Sequence, residues 1–273
     1  MSNDEAIGGN LTIGRLWLYL YCGAVMLFLI VPVLIVIPIS FSSSSNLHFP
    51  PSGWSLRWYQ NYLSSPDWMS ATWISVKAAI LTTAVATPLG VAAAYGLQVA
   101  AARVSRVLYM VIMLPLLLPV IIMAIGMFFT YAKLDLLNTT VGLVAAHTVL
   151  AIPFVMVTVA AALKQYDMTQ ENAARSLGCN RFSAFFFVTL PQIKTSVYSG
   201  ALLAFITSLD EVVIAIFIST GDRSTLTRRM FSSLRDQIEP TVAAISSLLI
   251  VASILLFAGA QLLGGRNRQS HSE

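Results

Sequence analysis

The chain alternates between long apolar stretches and short polar breaks. A helix that crosses a bilayer needs about 20 mostly apolar residues, and six runs of that order stand out: residues 16–41, 73–99, 107–131, 141–163, 199–218 and 241–263. They predict an all-α membrane protein with six transmembrane helices in a single domain, residues 1–273. The first run is 26 residues long, beyond the about 7 to 15 of a signal-peptide core, and reads as a retained helix. Prolines fall inside these runs at Pro32, Pro38, Pro88, Pro115, Pro119 and Pro153. Neighbouring helices can resatisfy the carbonyls they free, so kinked and tightly bundled helices follow. Ala86, Gly90 and Ala94 recur every four residues, a small-residue stripe for close helix packing.

The polar breaks differ in kind. Residues 132–140 make a short turn, whereas 42–71 and 220–240 are longer external segments. Residues 164–194, on the opposite side, carry structure of their own. Asp167 or Thr169 can cap a short helix through Ala173, Ala174 and Leu177, with Gly178 as its stop. A second amphipathic piece, 181–188 with Phe182, Phe185 and Phe186, is expected to end before Pro191. In the last external break Leu226, Met230, Leu234 and Ile238 recur at four-residue spacing opposite Arg228, Arg229 and Arg235, the pattern of an amphipathic helix.

Composition agrees with a lipid environment: 57% of residues are hydrophobic, 10% are charged, and mean hydropathy is +0.77. The formal charge of +4 comes from cations scattered singly through loops, which argues for topology rather than nucleic-acid binding. With both termini cytoplasmic, nine cations lie inside (Arg15, Arg103, Arg106, Lys164, Arg175, Arg181, Lys194, Arg266 and Arg268) and seven outside, a weak positive-inside bias. Four of the outer seven, Arg223, Arg228, Arg229 and Arg235, crowd into one loop and call for a separate reason. Cys22 and Cys179 are expected as reduced thiols. His48, His147 and His271 have no metal-ligand spacing, and His147 reads as a hydrogen-bonded packing residue in the fourth span. None of the four lysines follows a glycine, so there is no phosphate-binding P-loop, and Leu209-Asp210-Glu211 mimics a Walker B strand only by chance.

Within the 164–194 loop the residues run Glu171-Asn172-Ala173-Ala174, then Gly178, then Val188-Thr189-Leu190-Pro191. This resembles the EAA loop of binding-protein-dependent ABC importers, and its place between the fourth and fifth of six spans also matches. One departure is Asn172, where the family has Glu directly before the alanines. The resemblance implies the MetI-like fold of type I importer transmembrane domains, in a bacterial inner membrane. It assigns Glu171, Asn172, Ala173, Ala174, Gly178, Leu190 and Pro191 to ATPase coupling. It implies as partners an ATP-binding-cassette ATPase dimer, a second homologous permease subunit and a periplasmic solute-binding protein, with no cofactor, no nucleic acid and no catalysis by this chain. Paired alanines suit such contact in their own right, because a helix face without long side chains lets a partner approach closely.

The segment Ser208-Leu209-Asp210-Glu211-Val212-Val213-Ile214-Ala215 is similar to the fifth helix of polyamine permeases, as are Met230-Phe231-Ser232-Ser233-Leu234-Arg235, Glu239-Pro240 and Trp58-Tyr59. Val120 after Pro119 and Thr225-Leu226-Thr227 depart from that group. The resemblance implies a polyamine or other cationic amine as solute, with opines and amino-acid derivatives carried by related permeases. Two adjacent acids in a span are costly in lipid and must face protein or water. Counting about 100° per residue, Gly200, Ala204, Thr207, Ser208, Glu211 and Ala215 share a sector, with Asp210 on its flank. Ser208, Asp210 and Glu211 are therefore the expected pathway residues, the resemblance implies Trp58 as well, and Arg228 and Arg229 are the expected contacts to the binding protein.

Other classes remain open on the sequence. An intramembrane hydrolase could use Asp210, but no other span carries a second acid. An ion-coupled secondary transporter would also explain intramembrane acids, although no inverted repeat is visible.

Overall fold

The computed structural model describes residues 13–236 and 239–265, and every structural statement below concerns those residues. Ile238, Arg266, Arg268 and His271, which figure in the sequence expectations, lie outside them, as does the side chain of Arg15. No strand is present among the described residues, and an isolated antiparallel bridge joins Ser42 to Trp54.

In chain order the helices are α1 (Ile13–Ser40), α2 (Arg57–Ser64), α3 (Pro66–Val99), α4 (Ala102–Leu117), α5 (Val120–Lys133), α6 (Thr140–Gln165), α7 (Thr169–Ser176), α8 (Arg181–Ala184), α9 (Leu190–Asp210), α10 (Val213–Ile218), α11 (Leu226–Asp236) and α12 (Thr241–Gly265). By length and hydropathy α1, α3 and α6 can each cross a membrane, and α4 with α5 would make a fourth crossing if that bent pair counts as one span. The fifth apolar run falls on α9 and α10 and the sixth on α12, which is apolar over Thr241–Leu256.

Where helix boundaries depart from the expected ones, local chemistry gives the reason. α3 starts at Pro66 rather than Trp73, because Ser65 caps it by accepting from the Trp68 N–H and Pro66 and Asp67 fill its first turn. The third run is not one helix. Leu118, held extended by the proline that follows it, ends α4, and α5 leaves at 98° to it with Pro119 at its cap. The expected stop before Pro191 is also absent: α8 runs through a π-helical turn, Phe185–Thr189, straight into α9. Pro191 sits in the first turn of α9, directly after the π-helical turn, where the Leu190 N–H bonds the Phe185 carbonyl. The expected helix-turn-helix is thus a short helix, α7, followed by the root of the fifth span.

The chain forms two compact units, one from the residues up to Tyr62 with 239–248, the other from 63–236 with 249–265. In the first, every residue of α1 from Trp17 to Leu34 is exposed, an apolar surface for lipid or another subunit. The Tyr59 hydroxyl bonds Ser40 Oγ at 2.6 Å and Ser247 Oγ at 2.7 Å, and Asn61 Nδ2 donates to Glu239 Oε1 and Thr241 Oγ1.

The second unit is built on α3, α6 and α9 packed together around Val155. Ala86, Gly90 and Ala94 are all buried on this contact, as the small-residue stripe predicts. A Cβ on Gly90 would stand 2.5 Å from Val155 Cβ, and one on Gly200 would stand 3.1 Å from Val155 Cα. The three helices meet at a point where only hydrogen fits. A smaller apolar cluster, Ala78, Ala124, Leu143, Ala146, Leu150, Ile214 and Ile218, holds α10 against α5 and α6.

Gly90→Val should therefore separate α3 from α6 and lower the thermal midpoint of the detergent-purified protein by several degrees, a cost of about 1–3 kcal/mol for overpacking. Gly96→Ala, with nothing within 4 Å of its added Cβ, should leave the midpoint unchanged or raise it. Equal midpoints for Gly90→Val and the parent would contradict this packing.

Candidate functional site: the coupling helix and the broken fifth helix

α7 carries the residues of the EAA resemblance. The Thr169 hydroxyl, with the Thr169 N–H, holds the Asp167 carboxyl below its usual range at the helix start. Gly178 ends the helix at φ +99°, a left-handed conformation that glycine takes without a Cβ clash. The Gly178 N–H bonds the Arg175 carbonyl and the Cys179 N–H bonds that of Ala174. Asn172, Ala173 and Leu177 are exposed and Ala174 is half-buried, so Ala173 is the more open of the paired alanines.

Glu171 is not open. It is 1% exposed, and both carboxylate oxygens are spent within the chain: Tyr95 OH donates to Oε1 at 2.5 Å and Thr189 Oγ1 to Oε2 at 2.6 Å. Arg181 Nε donates to the Tyr95 oxygen at 3.2 Å, with its guanidinium over the Tyr95 ring. One carboxylate thus ties α7 to the end of α3 and to the π-helical turn that leads into α9. Leu190 and Pro191 form the first turn of α9. Sequence reasoning placed Glu171 toward a partner; its burial is set by Tyr95 and Thr189, a span away and a turn away, whose hydroxyls were the only signal.

At the other end of α9 the helix stops at Asp210. Glu211 turns to an extended conformation (φ −68°, ψ 120°), and its carboxylate accepts from the N–H groups of Ile214 at 2.9 Å and Ala215 at 3.1 Å. It caps α10 from three residues before, as an N-terminal carboxylate does. Thr227 Oγ1 donates to the Glu211 carbonyl at 2.9 Å, bringing α11 to the break. His147 lies alongside: Nδ1 meets Ser208 Oγ at 2.8 Å, and Nε2 stands 3.8 Å from Glu211 Oε2.

The order Ser208, His147, Glu211 has the outline of a hydrolytic triad. Ser208 is only 3% exposed and His147 1%, so no acyl substrate reaches the hydroxyl. The trio is an internal polar seam between α6 and α9. No group of His, Cys, Asp and Glu among the described residues could hold a metal.

The helical sector expected to border a cavity is instead a packing face. Gly200, Ala204 and Ser208 are buried, and the break at Glu211 ends the regular count before Ala215. Asp210 is the exposed acid of the pair. Trp58 belongs to the unit of residues up to Tyr62, where its indole N–H donates to the Ser42 carbonyl at 2.9 Å and its ring carries the Arg57 guanidinium.

The amphipathic helix expected in the 220–240 break exists as α11, with Leu226 buried, Met230 half-buried and Leu234 exposed. Its arginines are not free. Arg228 Nη1 bonds the Ser219 carbonyl and Ser224 Oγ, and Arg229 Nη2 meets Asp67 Oδ2 at 2.5 Å over the Trp68 ring. Both expected docking residues instead fasten α11 to its own unit.

Glu171→Ala should leave the Tyr95 and Thr189 hydroxyls without their acceptor, a cost of about 1–3 kcal/mol per buried group. α7 then detaches, and trypsin should cleave at Arg175 several-fold faster than in the parent, with Glu171→Gln intermediate. An unchanged cleavage rate in Glu171→Ala would show that α7 is held by something else.

Residues 86–269 match the family described as binding-protein-dependent transport system inner membrane component. The chain is 34% identical over 234 residues to the putrescine transport system permease protein PotI of Escherichia coli, covering 82% of each chain. It is 29% identical over 255 residues to the spermidine/putrescine transport system permease protein PotC of the same species, covering 92% of this chain and 95% of that one. The fold matches a bacterial ABC transporter involved in the import of the acidic polysaccharide alginate with a TM-score of 0.74 at 16% identity, over 93% and 98% of the two chains. Neither a hydrolase nor a secondary transporter is thus required by the intramembrane acids, and the chain belongs to the inner-membrane permease components of binding-protein-dependent ABC importers, in which ATP is hydrolysed by a separate subunit.

Proposed function

We propose that this permease forms half of the translocation pathway of an importer for polyamines or similar cationic amines. Asp210 carries the reading. An exposed carboxylate stands where α9 breaks off, at the helix end whose free carbonyls already favour a cation. Broken helices at membrane depth are tolerated where they are buried in protein or line a water-filled cavity, and half-helix ends commonly coordinate solute there. The putrescine and spermidine relatives support the same solute class.

Family membership by itself leaves the solute open, since the molybdenum transport system permease protein ModB of Mycobacterium bovis is also 29% identical over 89% of this chain. The exposed acid at the break favours a cation. In this reading the six apolar runs make six crossings with both termini cytoplasmic. A second permease subunit supplies the other half of the pathway, an ATPase dimer docks on the alanine face of α7, and a periplasmic binding protein delivers the solute.

In membranes that carry the assembled transporter, Asp210→Asn should lower putrescine uptake about tenfold or more, the loss of one charge-assisted contact. The amount of ATPase that co-purifies should not change. Glu211→Gln should act differently, weakening the cap of α10 and reducing the amount of folded complex. Uptake at the parental rate in Asp210→Asn would overturn the assignment of a cationic solute to this site.

A further inference from the structure

With Arg228 and Arg229 consumed inside the chain, the crowding of positive charge on the outer side still lacks a purpose. A cavity of about 280 Å³ at that end of the bundle supplies one. It opens between the start of α3, the α5–α6 turn and the turn of 3-10 helix Gly221–Arg223, and its walls include Ser70, Lys77, Asn138, Thr139, Asp222 and Arg223. Neither the Lys77 ammonium nor the Arg223 guanidinium has a hydrogen-bond, ion-pair or ring partner among the described residues.

The cavity wall is fixed, not a loose loop. Asn138 takes a left-handed conformation (φ 56°), its Oδ1 accepts from the N–H and the hydroxyl of Thr220, and its N–H donates to the Ile218 carbonyl at 2.9 Å. The turn between α5 and α6 is therefore pinned to the segment that carries Arg223. The cavity also lies far from the coupling helix. Lys77 and Tyr95 are on one helix, α3, and their separation along it is about 27 Å at 1.5 Å per residue, close to the hydrocarbon thickness of a bilayer.

We infer that this cavity is a docking socket on the outer face, in which Lys77 and Arg223 receive an acidic side chain of the solute-binding protein. The inference rests on the permease reading above, because that reading places a binding protein against the face opposite α7. A carboxylate fits the chemistry: Arg223 offers a planar two-pronged donor, Lys77 a point charge, and Ser70 a neutral hydroxyl. Asp222 offsets one of the two positive charges, so the socket suits one carboxylate better than a multiply charged anion. An anionic lipid headgroup is the competing occupant. The polar wall of Asn138, Thr139 and Ser70 and the internal acid favour the protein.

The test uses the assembled transporter in nanodiscs of zwitterionic lipid, with its own solute-binding protein, loaded with putrescine, titrated against the rate of ATP hydrolysis. Lys77→Ala with Arg223→Ala should raise the half-stimulating concentration of binding protein about tenfold at low salt, with the same maximal rate, because charge at a docking rim acts mainly on encounter. High salt should shrink the difference. Arg235→Ala, which removes an outer arginine already paired with Asp236, should cause no shift. Reversing the charge with Arg223→Glu should be compensated by an acid-to-lysine change on the binding protein. Equal half-stimulating concentrations for the double variant and the parent would overturn the socket. So would an effect seen only in discs that contain anionic lipid. If the parent itself shows no stimulation by the binding protein, the permease reading fails along with it.

Discussion

Two buried carboxylates hold the fifth helix at its ends. At the root, Glu171 receives the hydroxyls of Tyr95 and Thr189; at the far end, Glu211 receives the N–H groups of Ile214 and Ala215. Glu211 closes the break at the far end, since in a bilayer interior no water is available to satisfy a stray N–H. Glu171 acts at the root through side chains, tying α7 to α3 and to the π-helical turn. Everything that gives the molecule a working shape follows from these two contacts: α7 stays docked, α9 begins through a π-helical turn without losing continuity, and α10 restarts after a change of direction. The tight meeting of α3, α6 and α9 at Val155 then makes a single body of the helices between those ends.

The segment after the break at Glu211 follows the same economy of charge. Arg228 and Arg229 are absorbed by the Ser219 carbonyl and by Asp67, and they fix α11 to the bundle beside the break at Glu211, where Thr227 also reaches. What remains for other molecules is therefore specific: the alanine face of α7 on one side, Asp210 at the broken helix, and the cations of the Lys77–Arg223 cavity on the other. In the reading proposed above, these three surfaces meet the motor, the solute and the protein that delivers it.

Much of this was legible in the sequence. The six apolar runs all fall on helices, and Gly178 ends α7 as its position after the paired alanines predicts. His147 is the hydrogen-bonded packing residue that a lone intramembrane histidine is expected to be. What escaped depends on contacts between residues far apart in the chain. A periodicity count assumes an unbroken helix, so it put Glu211 on a cavity face with Ser208, whereas the capping of α10 draws Glu211 out of helical register. Pro191 reads as a terminator, yet it sits directly after a π-helical turn, through which the chain continues into α9. The inward turn of Glu171 needs Tyr95, 76 residues earlier, and no local pattern reveals a partner at that distance. Local chemistry was readable and tertiary hydrogen bonding was not.

The central claim is that α7 and α9 move as one body because Glu171 binds them. Spin labels on the native Cys179, just after α7, and on a Tyr198→Cys substitution in α9, in a Cys22→Ser background, report on it directly, since all three native positions are exposed. The distance between the labels, measured in the assembled transporter without nucleotide and with ATP trapped, should be one narrow distribution that is the same in both states, and Glu171→Ala should broaden it. A parental distance that shifts by several ångströms between the two states would show that α7 moves independently of α9, and would contradict the account.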